Sequence, residues 1–263
     1  MAEINAATVK ALRERTGQGM MECKKALIEA DGDVAAAVEI LRKKGLLAAE
    51  KKAGRATKEG LVAVCQGEGT AAMVEVVCET DFCARNDTFQ EMVQRVAELA
   101  AANEGDGPVE ATDQINAAVQ QCLAKIGENM SYGRGAKISA PTVGHYVHHN
   151  KKVGVVAGVE GDIDADSLRD LCMHIAFADP MGITTEDIPP DVVERERRIA
   201  AEQAAATGKP PQVIDKIVEG KLRKFLAANA LLEQVFVKDE QKKVKQLLGQ
   251  AKITAFARFA VGK

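Results

Sequence analysis

The sequence predicts an α+β fold with three N-terminal helices, two related core halves and an inserted pair of helices. Apolar residues recur at three- and four-residue spacing through residues 5–45, which is typical of short amphipathic helices. The order strand, turn, strand, acidic connector, helix then occurs twice, which indicates two related halves with small antiparallel sheets. Finally, Gly208–Pro211 separates two helical segments, and such a short loop favours an antiparallel helical hairpin.

The first three helices are delimited by polar caps and glycines, and we predict that residues 1–54 form one module. Asn5 can cap the first helix and Asp33 the third, while Gly17 and Gly45 are expected to end them. Each helix has one apolar face, so the three can bury a small shared core. The charged segment 50–55 lacks apolar periodicity and is predicted to be a linker.

Residues 55–140 are predicted to form the first core half, because the apolar period changes from that of helices to that of strands. Its predicted elements are a hairpin of the strands Leu61–Cys65 and Ala72–Cys78, a helix from about Asp87, and a helix Ile115–Ile126. Thr80-Asp81-Phe82 follows the second strand directly. We therefore expect these three residues on a loop, where binding residues are often found.

Residues 141–263 are predicted to form the second core half, with the helical hairpin inserted at about 190–229. Its other predicted elements are the strands Val143–His148 and Val153–Val159, a helix through Leu168–Ala176, a Lys-rich helix at Gln241–Leu248 and a strand at Ile253–Val261. The last strand is expected to join the sheet of this half.

Composition favours a protein partner. The chain has 35 basic and 38 acidic residues, without the basic excess that nucleic-acid-binding proteins usually carry. Its six cysteines include no CxxC pair, and the N-terminus lacks a secretory or transit pattern. No apolar run is long enough for a membrane span. We therefore expect a cytoplasmic protein with reduced thiols and no contact with nucleic acid or membrane.

Motifs of nucleotide-binding proteins and common hydrolases are absent from the sequence, including GxxxxGK[ST], GxGxxG, HExxH and GxSxG. His145, His148 and His149 form the densest titratable cluster, but no cysteine or carboxylate lies beside them at metal-ligand spacing. The alternatives for the cluster are an exposed strand end and a protein contact. Cys78 and Cys83 flank Thr80-Asp81-Phe82 without a visible activating base, so buried structural thiols are the simpler interpretation. We expect no catalytic residue, metal or cofactor.

Several segments, among them Asp31–Asp33 with the predicted helix that ends at Leu41–Gly45, resemble the elongation factor Ts family, and together they extend over nearly the whole chain. The segment Thr8–Leu27 is similar to the N-terminal signature of that family, and Glu75–Arg85 is similar to its second signature, a strand followed by Thr-Asp-Phe. Lys125–Asn129 and Ile217–Phe225 match as well. The resemblance implies a ubiquitin-associated-like N-terminal module, a two-part α+β core and a helical hairpin.

The resemblance also implies an activity without catalysis. Members of this family bind elongation factor Tu·GDP and promote exchange of GDP for GTP in translation elongation. The expected partner is therefore that GTPase, in a heterodimer or a two-to-two heterotetramer. Two other hypotheses remain at this point, a generic protein-interaction adaptor and a thiol- or metal-dependent enzyme.

The resemblance further implies four groups of partner-binding residues. The group that disturbs the Mg²⁺ site of the GTPase is Thr80, Asp81, Phe82 and Cys83. The group that presses near its phosphate-binding loop is Ile126, Gly127 and His148. The contacts of the N-terminal module are Lys10, Met20, Met21 and Lys24, and those of the second core half are Val237 and Lys238. Two positions depart from the family pattern: Cys83 replaces an aliphatic residue, and Lys238 replaces an apolar one.

Overall fold

The computed structural model describes residues 4–52, 54–206, 208 and 210–262, and there it combines helices with small antiparallel sheets. The helices are α1 Ala6–Thr16, α2 Met20–Glu29, α3 Val34–Lys52, α4 Asp81–Arg85, α5 Asp87–Ala101, α6 Asp113–Ile126, α7 Ala165–Ala178, α8 Pro190–Ala205, α9 Pro211–Asn229 and α10 Val244–Leu248. The strands are β1 Glu59–Gly67, β2 Thr70–Cys78, β3 Gly107–Pro108, β4 Met130–Ser139, β5 Thr142–Val147, β6 Val153–Glu160, β7 Val235–Phe236, β8 Asp239–Lys243 and β9 Lys252–Ala260. The predicted α+β class is confirmed. No helix in these ranges could cross a lipid bilayer.

The three N-terminal helices begin and end largely where their caps predict. The Asn5 side chain accepts a hydrogen bond from the Thr8 N–H (2.9 Å), and the Asp33 side chain accepts one from the Ala35 N–H (2.7 Å). Gly17 ends α1 in the left-handed conformation with φ 68°. The helices share a core of Val9, Leu12, Cys23, Ala26, Leu27, Ala37 and Leu41.

The predicted end of α3 at Gly45 is wrong. The helix continues to Lys52, so residues 50–52 of the predicted linker are helical, and Ala53 lies outside the described residues. A glycine inside a helix costs only about 1 kcal/mol relative to alanine. The residues that follow Gly45 are strong helix formers (Leu, Ala, Glu and Lys), which offsets this cost.

The first sheet has the strand order β1-β2-β4-β3, and its hairpin pairs Leu61 with Val76. Strand β2 is buried on both faces. Its residues Ala72, Val74, Val76 and Cys78 pack in one cluster with α5 and α6. Ala71 and Met73, which alternate with them, belong to a different cluster. Alternation of side chains therefore places helices on one face of this sheet and another layer on its other face.

The second sheet has the order β5-β6-β9, and the predicted pairing of the last strand within this half is confirmed. Val155, Ala157 and Val159 pack with α7, whereas Val156 packs towards the first sheet. The layer between the two sheets consists of Val62, Ala71, Met73, Ile138, Val143, Val156 and Phe259. The core thus consists of four layers, in the order helices α5 and α6, first sheet, second sheet, helix α7.

The C-terminal half contains the predicted pair of long helices. Helices α8 and α9 pack through Ala200, Ala204 and Val218, and because only a short loop joins them they run antiparallel. The predicted Lys-rich helix Gln241–Leu248 is only partly correct. Its first residues belong to β8, where Lys243 pairs with Val235 and its ammonium group contacts Glu233 (2.6 Å), so helix α10 begins at Val244.

Candidate functional site

Thr80-Asp81-Phe82 forms the start of a one-turn helix rather than the predicted loop. Thr80 is the N-cap of α4, because its hydroxyl oxygen accepts a hydrogen bond from the Cys83 N–H (3.1 Å). Phe82 lies in the first turn and is 79% exposed, so it is not a core residue. The geometry thus presents a large apolar ring on a short, capped helix.

A carboxylate that follows α6 holds the N-terminal end of α4. The Thr80 hydroxyl donates to both carboxylate oxygens of Glu128, at 2.9 and 3.0 Å. Beside it, the Asn129 N–H donates to the Glu79 carboxylate (2.5 Å). Residues 79–80 and 128–129 are therefore joined by adjacent hydrogen bonds, although they lie far apart in sequence.

A glutamine in α5 holds the other end of α4. The Gln90 amide nitrogen donates to the Arg85 carbonyl (3.0 Å), and its amide oxygen accepts from the Lys151 ammonium group (2.6 Å). The Lys151 N–H in turn donates to the His148 carbonyl (2.7 Å). Gln90 therefore connects α4 with the turn of the second core half that contains His148. Sequence reasoning missed both Gln90 and Glu128.

Asp81 is oriented by a neighbour on its own helix. Its carboxylate forms an ion pair with Arg85 at 3.0 Å, and both side chains remain substantially exposed. An exposed pair at this spacing adds only a few tenths of a kcal/mol to stability. Its effect is to fix the direction in which the carboxylate points next to Phe82.

Cys78 ends β2 and Cys83 lies in α4, and their buried thiols contact each other. This hydrogen-bonded contact raises the pKa of Cys78 and lowers the pKa of Cys83, while burial and the Glu128 carboxylate oppose ionisation of both. The neighbouring charges that act on the pair are carboxylates, which disfavour a thiolate nucleophile. The pair therefore fits the structural interpretation.

The three residues of the second group lie at the end of α6 and just after β5. Gly127 ends α6 in the left-handed conformation with φ 85°, and Ile126 before it is half-buried. Strand β5 ends at Val147, so the predicted extension of this strand to His148 is wrong. His148 instead begins the following turn, and its Nδ1 atom contacts the Tyr146 hydroxyl at 2.9 Å.

The histidine cluster does not form a metal site. Within the described parts of the chain, no group of three His, Cys, Asp or Glu side chains could hold a metal ion. His145 instead contacts the Gln66 side chain, and the His148 and His149 rings lie 4.2 Å apart. A strand end with partly exposed histidines explains this arrangement.

The N-terminal module exposes its expected contact residues. Met20 is 44% exposed and Met21 is 62% exposed. Core packing would require at least one of the two methionines to be buried, and neither is. Lys10 and Lys24 are exposed as well, and Lys10 lies 3.8 Å from Glu14. These four side chains are thus exposed and lie outside the core of the module.

The expected contact residues of the second core half follow β7. Val237 is exposed, and its N–H donates to Nδ1 of the buried His174 (3.2 Å). The ammonium group of Lys238 pairs with the Asp170 carboxylate of α7. Lys238 is therefore engaged within the chain, at the position where the family pattern has an apolar residue.

Comparison with known proteins identifies the family. The family model described as Elongation factor TS matches residues 79–263. Proteins named Elongation factor Ts are similar along their lengths: that of Rhodospirillum centenum is 44% identical, with 100% of this chain and 94% of the relative covered. The relative from Thioalkalivibrio sulfidiphilus is 44% identical with coverage of 99% and 92%, and that from a Hydrogenobaculum species is 41% identical with coverage of 98% and 99%. The chain therefore belongs to the elongation factor Ts family.

Proposed function

We propose that this chain binds elongation factor Tu·GDP and promotes the release of GDP and the entry of GTP during translation elongation. Family membership supports the exchange role. The structural observation that carries the proposal is the 79% exposed Phe82 ring on a helix held at both ends. A large apolar side chain in such a position is suited to insertion into a partner.

The mechanism we infer is mechanical. The Mg²⁺ ion of a GTPase neutralises phosphate charge, so displacing it weakens GDP binding without chemistry on the exchange factor. Phe82 would gain about 1.5–3 kcal/mol on burial, which can favour a shifted arrangement of the Mg²⁺ site. Because Glu128 and Gln90 already fix α4, little of this energy is lost in ordering the helix.

A second contact would act on the phosphate-binding loop. Ile126 and Gly127 precede Glu128, which holds Thr80, so the two contact groups share one support. His148 joins the same unit through Lys151 and Gln90. We infer that pressure at the Mg²⁺ site and at the phosphate loop is applied together by one rigid part of the core.

The remaining contacts would secure the partner. We infer that residues 1–54 form a ubiquitin-associated-like module that contacts the GTPase through Lys10, Met20, Met21 and Lys24. The two core halves would divide near residue 140, and Val237 with Lys238 would contact another domain of the partner. The mass of the complex distinguishes a heterodimer from a two-to-two heterotetramer.

An exchange factor of this kind requires no catalytic residue. The exchange factor lowers the affinity of the GTPase for GDP by a certain factor. By linkage, GDP lowers the affinity of the GTPase for the exchange factor by the same factor. Differential binding therefore explains exchange completely. A cytoplasmic location would follow from this role.

The direct test uses elongation factor Tu loaded with fluorescent GDP. Adding the chain should accelerate GDP release in the presence of excess unlabelled nucleotide, and a thiol-blocking reagent should leave that acceleration unchanged when the buried cysteines stay unmodified. An absence of acceleration would exclude the exchange role. Loss of activity on removal of a metal from the chain itself would favour the enzyme hypothesis instead.

Glu128→Ala should slow exchange roughly three- to tenfold. The variant removes the acceptor for the Thr80 hydroxyl, a hydrogen bond worth about 1 kcal/mol at this partly buried position. The saturating rate of GDP release measures the effect. Glu98→Ala is the control, because it removes an exposed glutamate that pairs with Arg95 on the surface of α5. Equal rates for both variants would contradict the supporting role of Glu128.

A further inference from the structure

A cavity of about 370 Å³ lies between the N-terminal module and the first core half. Helix α3 of the module packs against α6 of the core, and the cavity lies beside this contact. One wall comes from α1, α3 and Gln18, and the other wall comes from α6. None of the lining residues belongs to the four groups that the family resemblance assigns to partner contacts, so the cavity needs a separate explanation.

Lys125 connects the two walls of this cavity. It lies in the last turn of α6, and its side chain runs across Gly17, the residue that ends α1. A Cβ atom at Gly17 would lie 2.5 Å from Cε of Lys125, so a larger residue there would displace the lysine. The aliphatic part of Lys125 is therefore packed on the module while the residue lines the cavity.

Three cations line the cavity, and no acidic side chain lies among the lining residues. Arg15 comes from α1, Arg42 from α3 and Lys125 from α6. Within the described parts of the chain, none of the three forms an ion pair with a carboxylate. A general excess of basic residues does not explain this cluster, because the net charge of the chain is -3. The three cations repel one another, and an anion between them would turn this repulsion into attraction.

Helix ends explain only two of the three cations. Arg15 and Lys125 lie in the last turns of α1 and α6, where the helix dipole favours positive charge. Arg42 lies in the interior of α3, which extends from Val34 to Lys52, so no helix end accounts for it. A shared ligand in the cavity accounts for all three.

The neutral part of the lining can hold an organic group beside the anion. Two amide side chains, Gln120 and Gln121, can both donate and accept hydrogen bonds. The apolar part of the lining consists of Val38, Leu41, Ala117 and Ala124. The volume also falls within the range of about 300–1,000 Å³ that is typical of small-molecule sites. The cavity is therefore larger and more apolar than the binding of a bare oxyanion requires.

We propose that this cavity binds a diphosphate group, held by Arg15, Arg42 and Lys125 between the N-terminal module and α6. A diphosphate carries several negative charges, which matches a site of three cations, and guanidinium groups bind phosphate oxygens through paired hydrogen bonds. Because the cations belong to both the module and the core, the bound anion would join the two. The proposal concerns the chain alone and does not depend on the proposed function.

Calorimetry on the full chain at low salt tests the site with two probes. Pyrophosphate tests the diphosphate group alone, and adenosine diphosphate tests the same group attached to an apolar ring system. Both should bind one-to-one. Tighter binding of adenosine diphosphate would identify the ligand as an organic diphosphate, and equal binding would identify it as the inorganic anion. Higher salt should weaken both, because the three cations are exposed to solvent.

Arg42→Gln and Lys125→Gln should each weaken binding of pyrophosphate about tenfold or more, because each removes a charged hydrogen-bond donor. Arg13→Gln is the matched control, since Arg13 is exposed on the same helix as Arg15 but does not line the cavity. It should leave the affinity unchanged. All these residues are exposed, so circular dichroism should show an unchanged fold in every variant.

Hydrogen exchange followed by mass spectrometry locates the bound anion. Pyrophosphate should slow amide exchange in α3 and in α6 together, because it joins the two walls. Protection of only one wall would overturn the bridging site. Two further results would overturn the proposal: no binding of either probe at low salt, and equal weakening by Arg13→Gln and Arg42→Gln, which would indicate general attraction of anions. Binding of an acidic peptide but of neither probe would also overturn it, and would assign the cavity to a protein contact.

Discussion

Phe82→Ala should slow GDP release from elongation factor Tu roughly 10- to 150-fold at saturating concentration of the chain. The range is that expected when about 1.5–3 kcal/mol of burial energy is lost from the step that displaces the Mg²⁺ site. The fold should be unaffected, because the ring is 79% exposed and contributes little to the core. Stopped-flow fluorescence with labelled GDP measures the rate.

Affinity should fall much less than rate, because the contacts of the N-terminal module and the second core half remain. Adding Asp81→Ala should slow release further, since the oriented carboxylate next to Phe82 is then lost as well. Ile199→Ala is the control for removing an exposed apolar side chain elsewhere. If rate and affinity fell by the same factor in the double variant, Phe82 would be an anchor and the displacement mechanism would be incorrect.

The spacing of apolar residues and the capping residues of helices predicted most of the core. Strand β4 shows where such local patterns fail. Strand β2 has six consecutive buried residues and an obvious strand composition, whereas β4 contains Gly133, Gly135 and Arg134 and buries only three of its ten residues. Its place in the sheet depends on pairing with β2 across more than fifty residues of sequence. It also depends on Arg134, whose guanidinium group contacts the buried Glu75 carboxylate (2.6 Å) and the Phe259 ring. Such long-range contacts leave no local pattern.

The same limit applies to the candidate site. The position of Thr80-Asp81-Phe82 after a strand is visible in the sequence, but this position predicts a loop there and not the helix that Thr80 caps. The exposure of Phe82 is not visible, because a phenylalanine beside buried cysteines is equally typical of a core. Glu128 and Gln90 were also beyond sequence reasoning, since each is an ordinary surface residue type that acquires its role only when α5 and α6 pack beside α4.

Phe89→Ala should destabilise the protein by about 3–5 kcal/mol, although it is the same substitution as Phe82→Ala and lies in the neighbouring helix. Phe89 is fully buried in the core between α5, α6 and the first sheet. Alanine removes most of its contacts and leaves a cavity that close-packed neighbours cannot fill. For a chain of this size the melting temperature should fall by roughly 6–20 °C.

Thermal and urea unfolding, followed by circular dichroism, measure the loss of stability caused by Phe89→Ala. Phe82→Ala is the control, and it should change stability by no more than about 0.5 kcal/mol. The two variants therefore separate the two roles of phenylalanine in adjacent helices. Phe89→Ala should lower stability while its folded fraction still promotes exchange, and Phe82→Ala should preserve stability while exchange slows. A loss below about 1 kcal/mol for Phe89→Ala would mean that the core around α5 rearranges to fill the space. The support of α4 by Gln90 would then be adaptable as well, because Gln90 follows Phe89 in the same turn of α5.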